Sequence, residues 1–372
     1  MPSLLIVLLV FLLLAGVSPS PQPATGGGGD RDTLLAITNA WGRPPGLSSW
    51  DPASSTDHCT WKGVTCASAA DDASTRAVTE LSLPALDLRG TVPTPVCSLK
   101  HLARLDLSHN RLAGSFPGAA LSACARLRFL DLSHNLFSAP LLPPADDDVQ
   151  GSRSLSPALA HLNLSANRLD GEFPAAVARL TALQSLHLDA NRLAGAIPDA
   201  LSGLASLTLL NASSNRLTGA VPAWAFRHAR LRRLYLSDND LSGELLPPRG
   251  VGVASVTAAS SLAELDLSMN RLTGEIPDGL RALRNLTLLF LYKNRLTGTI
   301  PAWVFRHRKL QQLCLDENGF SGDLPRDITA HNLVLLNLSG NRLSGEIPRG
   351  FGHLKNLKRL FLQNNRFTGR LC

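Results

Sequence analysis

The apolar positions of this chain repeat. Leu262–Pro277 reads L-A-E-L-D-L-S-M-N-R-L-T-G-E-I-P, which reduces to L-x-x-L-x-L-x-x-N-x-L-x-G-x-I-P over sixteen positions. The pattern returns at Leu102, Leu127, Leu159, Leu183, Leu207, Leu231, Leu286, Leu310, Leu333 and Leu357, and a weaker copy opens at Val78. That makes twelve units, mostly 24 residues apart. Self-similarity at this period predicts a solenoid with one unit per turn. Positions four and six are apolar and position five is mostly polar, so each unit carries a short strand with one buried face. One unit cannot bury its leucines alone. Stacked as parallel strands about 4.8 Å apart the units can, and twelve then span an arc on the order of 50 Å.

Three polar or special positions complete the unit. Position nine is Asn in eleven repeats, from Asn110 to Asn365, with Leu86 in the first. The chain turns off the strand there while still buried. A buried amide must be fully hydrogen-bonded or it costs about 1–3 kcal/mol. A ladder of Asn side chains bonding backbone groups of the same and the adjacent turn meets that need. Position thirteen is Gly in eleven repeats, Ala139 being the exception, which suits a close backbone approach. Pro at sixteen, as in Pro277 and Pro348, removes a donor and ends the pairing.

Composition changes this picture little. A chain of 372 residues could hold two or three globular domains, but the repeat overrides that expectation. The net charge of +7 raises the question of nucleic acid. Position ten is Arg in eight repeats (Arg111, Arg168, Arg192, Arg216, Arg271, Arg295, Arg342 and Arg366), and removing those eight takes +7 to −1. The excess is therefore a ladder along one edge, and no nucleic-acid recognition module is present. The ladder reads as a solvated edge whose Arg stems cover apolar surface, with an acidic polymer or partner as the alternative.

The ends and insertions frame the repeats. Leu4–Leu14 is an apolar run too short to span a bilayer, followed by small residues and Pro19; residues 1–24 read as a signal peptide and 25–29 as a glycine linker. Gly26–Gly29 lacks the preceding strand and following Lys-Ser/Thr of a phosphate loop. Residues 30–77 are expected to cap the first repeat. Asp30–Trp41 is a short helix that Asp30 or Asp32 can cap, with Leu34, Leu35, Ile37 and Trp41 on its apolar face. Cys59 and Cys66 bracket Trp61 and are expected to form a small disulfide loop. A metal reading of that pair lacks partners at ligand spacing, so no metal is expected. Repeats three and seven are over-long, carrying Asp146–Asp148 and Leu245–Ser261, which should leave the solenoid as loops. The chain stops at Cys372, position sixteen of repeat twelve, so the last repeat, in 78–372, is expected to be incomplete and to fray.

From Asp30 onward the segments L-L-A-I, W-G, L-S-S-W-D and C-T-W-K-G-V-T-C resemble the N-terminal cap of plant leucine-rich-repeat proteins. The N-R-L-x-G-x-I-P repeat is similar to the plant-specific type. Together they resemble the ectodomains of plant receptor-like kinases and receptor-like proteins. Cys97 and Cys124, with their flanks, look like the opening repeats of the HAESA-like peptide-hormone receptors. The resemblance implies an α/β fold: a right-handed leucine-rich-repeat solenoid, horseshoe or superhelix, with a helical N-terminal cap and a parallel sheet on the concave face. It implies a secreted peptide or protein ligand and a short leucine-rich-repeat co-receptor kinase as partners. It also implies passage through the secretory pathway to the apoplast or cell surface, with membrane attachment only through a segment outside this chain. No cofactor, nucleic acid or catalytic residue is expected, since neither the glycine loop, H-R-D nor D-F-G of a kinase occurs. A secreted inhibitor of a cell-wall hydrolase, similar to polygalacturonase-inhibiting proteins, is the rival, and a truncated soluble decoy a third reading.

Positions three, five, seven and eight should face the concave side. Departures from the repeat preference there carry the information. The chain's two tyrosines, Tyr235 and Tyr292, fall on that face with Phe290 between them. Asp238, Glu264, Asp266, Met269, Lys293, Asp316 and Glu317 surround them, so aromatics ringed by charge mark a candidate ligand surface in repeats seven to ten. Four sequons are candidate N-glycosylation sites: Asn163, Asn211, Asn285 and Asn337. Asn163, Asn211 and Asn337 sit at position five, where glycans would leave that same window open. His109 and His134 occupy one position in adjacent repeats beside Asp106, Ser108, Asp131 and Ser133. These have the residue types of a hydrolase triad, but the Asp and Ser are repeat consensus. With His161 and His187 they are instead candidates for a pH response. Cys97 and Cys124 are three positions out of register and are expected as buried thiols in preference to a bond. Cys314, at position five, is expected to be exposed.

Overall fold

The computed structural model describes residues 29–69, 72–140, 155–245 and 260–368. The expected signal peptide, Asp146–Asp148, most of the Leu245–Ser261 insertion and Cys372 lie outside them.

Twelve parallel strands stack in chain order in one sheet, and an antiparallel thirteenth, Val64–Ala69, closes its N-terminal end. Each repeat from Leu102 onward contributes three sheet residues at positions three to five, such as Glu264–Asp266. Position four is a leucine in register across the stack: Leu234, Leu265, Leu289 and Leu313 stand side by side, all fully buried. Burying each such side chain stabilises the fold by about 1.5–3 kcal/mol, and none is buried unless its neighbours are in place. This is the α/β solenoid that the repeat implied.

The Asn ladder closes as expected. Asn270 Oδ1 accepts the Leu241 N–H of the preceding repeat, and its Nδ2 donates to the Leu236, Leu267 and Ser268 carbonyls. Ten other repeats carry Asn at this position, and Asn110 also serves Leu86 and Leu88 in the first repeat, which has none. Position eight is held in the left-handed region in all twelve repeats, before Leu86 in the first and before the Asn in the other eleven, and only Gly340 is a glycine. Position eight therefore carries backbone strain of about 1–2 kcal/mol per L-residue, balanced by the ladder beside it.

Positions ten to fourteen form a second series of short parallel pairs, offset by two residues, with Ser242 opposite Arg271 and Glu244 opposite Thr273. The arginine ladder lies on this flank. It meets acids supplied by the chain itself: Arg111 pairs with Asp87 at 2.8 Å and Arg271 with Asp240 at 2.5 Å. The ladder is thus partly neutralised by position ten of repeats one and seven.

The cap is a helix, Asp30–Ala40, that buries Leu34 and Ile37. Neither Asp30 nor Asp32 caps it, which corrects the expectation. Asp30 Oδ2 instead accepts the Val78 N–H at 2.6 Å and ties the helix to the first repeat. Trp50 stacks on Trp61 at 5.9 Å, and the Arg31 guanidinium lies 5.0 Å over Trp61. Cys59 and Cys66 are disulfide-bonded. Cys97 and Cys124 are also bonded, contrary to the expectation of thiols. The second repeat winds Gly118–Leu121 into a helical turn, and this takes up the register difference, leaving the two Cα atoms 4.7 Å apart. Two disulfides suit an oxidising compartment. No described helix is long and apolar enough to cross a membrane.

Candidate functional site

On the concave face of repeats seven to ten, position five brings Tyr235, Asp266, Phe290 and Cys314 into one row across four adjacent strands. The Tyr235 hydroxyl donates to Glu264 in a short hydrogen bond. Burial, and after it the Glu264 carboxylate, holds the phenol above its ordinary range. Asp266 gives Oδ1 to its own turn, accepting from the Ser268 N–H at 3.0 Å and hydroxyl at 2.5 Å. Phe290 and Tyr292 meet edge to face, 6.2 Å between centroids at 62°. Beside them Met269 is 40% exposed with φ +54°. Asp238, Lys293 and Glu317 share that left-handed position and are exposed, with Lys293 Nζ 3.9 Å from Glu317.

Asp316 stands where most repeats have a serine. A serine there donates to the carboxylate or amide at position five, as Ser268 does to Asp266. In this repeat position five is Cys314, and Asp316 Oδ1 is buried with no partner. Burial raises its carboxyl above the usual range, and Glu317 adds to the rise. Cys314 itself is buried, at 8% exposure, which corrects the expectation of an exposed thiol. Its side chain is short and stands in the row between the longer Phe290 and Asn337. Burial first, then Asp316 and Asp266, pushes the thiol up to about 12.

Repeats two to five form a second concave patch around the histidines named as pH-response candidates, to which the structure adds Arg104, Phe129 and Ser185. The Arg104 guanidinium lies 3.5 Å over the Phe129 ring, whose centroid is 5.8 Å from that of His161. His161 Nδ1 bonds the Ser185 hydroxyl at 2.8 Å. The signal was available: Phe129 stands at position three, which faces the same way as position five. His109 and His134 stack at 4.0 Å and 11°. The triad-like residues are not arranged for catalysis, because the Ser108 and Ser133 hydroxyls donate to Asp106 and Asp131. Burial holds His187 below its ordinary value, against the pull of Asp189 and Asp131.

Three sequon asparagines play the part of Asp266. Asn163, Asn211 and Asn337 each accept, through Oδ1, the N–H of the Ser two residues on. Asn163 also donates to Asp131. Asn285 is exposed and accepts from Lys309 Nζ. Among the described residues, the one cluster of metal-ligand atoms is His58, Cys59 and Cys66, and its two sulfurs are in a disulfide.

The leucine rich repeat N-terminal domain family matches residues 28–67, and leucine rich repeat families match 101–122, 181–241, 261–283 and 332–354. Receptor-like protein 3 of Arabidopsis thaliana is 36% identical over 33% of this chain and 16% of its own length. Polygalacturonase inhibitor 1 of Oryza sativa subsp. japonica is 33% identical over 34% of this chain and 37% of its own. The chain thus spans well under half of these relatives. Among solved structures, the Arabidopsis receptor kinase HAESA with the peptide hormone IDA and the co-receptor SERK1 superposes with a TM-score of 0.78. It is 29% identical, over 91% of this chain and 53% of that one.

Proposed function

Because the chain belongs to the leucine-rich-repeat proteins, with the repeat type of plant receptor-like proteins and receptor kinases, we propose that it is a ligand-recognition module. A secreted peptide lies extended across the concave strands of repeats seven to ten. Phe290, Tyr292 and Met269 supply its apolar anchors, and Tyr235 a rigid wall fixed by Glu264. Asp238, Asp266, Asp316 and Glu317 favour basic groups on the peptide, with Lys293 at the rim. Pairing with a co-receptor kinase and an extracellular location belong to the same reading. The observation that carries it is the edge-to-face pair Phe290–Tyr292 beside the exposed Met269, inside a ring of carboxylates. Such an apolar centre with a polar rim is the anatomy of an interface.

The test is capture of plant secreted peptides by the glycosylated ectodomain, comparing wild type with Tyr235→Ala/Tyr292→Ala. The reading expects capture by wild type and loss in the variant, and equal capture by both overturns the assignment. Its similarity to a polygalacturonase inhibitor supports a second reading, in which the same face holds a cell-wall hydrolase. Retention of a hydrolase and of no peptide decides for that reading.

A further inference from the structure

Two histidines stand in the leucine core. Six residues after the proline that ends each strand pair, the chain returns to the core with Leu180, Leu204, Leu283 and Leu354. At the same step after Pro222 and Pro301 the residues are His228 and His307, each 9% exposed. Each imidazole is bonded alike: His228 Nε2 meets the Leu204 carbonyl at 3.1 Å, and His307 Nε2 the Leu283 carbonyl at 3.0 Å. Those carbonyls belong to the leucines of the same column, one repeat back.

The geometry fixes the proton on Nε2 and leaves Nδ1 bare. His228 Nδ1 accepts the Leu231 N–H at 3.0 Å and the Arg230 N–H at 3.3 Å. His307 Nδ1 is buried with no partner among the described residues. A second proton would set two donors face to face at His228. At His307 it would bury a charged N–H with no acceptor. Among the described residues no charged side chain acts on His228; Lys309 acts on His307, and its ammonium further disfavours the imidazolium.

Their places in the solenoid matter. Leu231 opens repeat seven, which carries Tyr235 and Asp238. His307 precedes Leu310, which opens repeat ten with Cys314 and Asp316. We propose that His228 and His307 make the concave surface of repeats seven to ten acid-labile: a proton on either Nδ1 loosens the first turn of the two strands that bound it. This rests on the ligand reading only for its consequence, weaker ligand hold in acid.

The direction follows from burial, which holds both imidazoles below 6.5, with the Leu204 and Leu283 carbonyls opposing the shift in part. A group whose folded pKa is lowered contributes stability present above its unfolded pKa, and that stability is lost as pH falls through the folded one. The window therefore lies below about pH 6.5.

Amide hydrogen exchange tests the device without any ligand. Corrected for intrinsic rates, residues 231–236 and 310–315 should open about tenfold more often at about pH 5 than at about pH 7.5. Residues 102–107, which follow Leu99, the leucine six residues after Pro93, should not. His228→Leu/His307→Leu, which installs the column's own residue, should abolish the difference. His228→Gln/His307→Gln keeps a donor for the carbonyl and cannot titrate, so it serves if the leucine variant folds poorly. Wild-type exchange that is equal at both pH values, or a pH effect that survives both variants, overturns the proposal. Failure of peptide capture by neutral wild type would overturn the ligand reading and leave this result standing.

Discussion

The concave faces of repeats two to five and seven to ten are built on the same strands, yet their side chains are used differently. In repeats two to five most of the groups satisfy one another: Arg104 covers Phe129, His109 stacks on His134, His161 bonds Ser185 and Asn163 bonds Asp131, while Asp189 Oδ1 is buried with no partner among the described residues. In repeats seven to ten Tyr235 pairs with Glu264 and Ser268 with Asp266. Phe290, Tyr292 and Met269 form an apolar step, and Asp316 Oδ1, like Asp189 Oδ1 on the first face, has no partner among the described residues. A face that consumes its own polar groups gains stability and has little left for a partner. A face that leaves an apolar step uncovered holds binding energy in reserve.

The comparison requires that the scaffold beneath be common to both regions, and the largest effect tests that. Asn110 and Asn270 each make their bonds to four or five backbone groups, in the same pattern. Asn110→Ala and Asn270→Ala should each lower unfolding stability by about 3 kcal/mol or more, read from urea denaturation, since several buried groups lose partners at once. Equal losses support a common scaffold. A large loss in one region and a small one in the other would break the comparison at its base.

The next effect separates the two faces. Arg104→Ala/Phe129→Ala removes a cation–π contact and should lower stability by about 1–2 kcal/mol while leaving peptide capture unchanged. Phe290→Ala/Tyr292→Ala should do the reverse, weakening capture about 10–100-fold with under about 1 kcal/mol of stability lost. Thermal unfolding and a capture titration on both variants distinguish the outcomes. Capture lost from the Arg104/Phe129 variant would mean that the first face also binds.

The scaffold was legible in the sequence because the solenoid makes every repeat solve the same problem. Leucine at positions one, four and six, Asn at nine and Gly at thirteen each answer to one local demand, repeated many times. What depended on a single repeat was not legible. The Cys97–Cys124 bond needs the helical turn Gly118–Leu121, which no period announces. Cys314 lies at a position that is partly exposed in the neighbouring repeats, yet it is buried between Phe290 and Asn337 in its row. The left-handed backbone at position eight was hidden too. Its residues range over His, Ala, Ser, Asp, Met, Lys, Glu, Gly and Asn, so no side-chain preference gave it away. His228 and His307 passed unnoticed because they substitute for leucine on the convex side, where attention to the concave face does not reach.

The smallest effect sharpens the comparison through that shared backbone. Met269 and His109 both sit at position eight with φ near +55°. Gly340 occupies the same place in repeat eleven, so the turn accepts glycine. Glycine removes a left-handed strain of about 1–2 kcal/mol and loosens the unfolded chain by about 0.5–1 kcal/mol. Met269 is exposed and its side chain has little to lose, so Met269→Gly should raise stability by about 0.5 kcal/mol. His109→Gly also forfeits its stack on His134, worth about 0.5–1.5 kcal/mol, and should gain nothing or lose slightly. A measurable rise in melting temperature for Met269→Gly and none for His109→Gly would locate the difference between the faces in their side chains. Equal rises would show that the His109–His134 stack contributes nothing, and that repeats two to five are no better satisfied than repeats seven to ten.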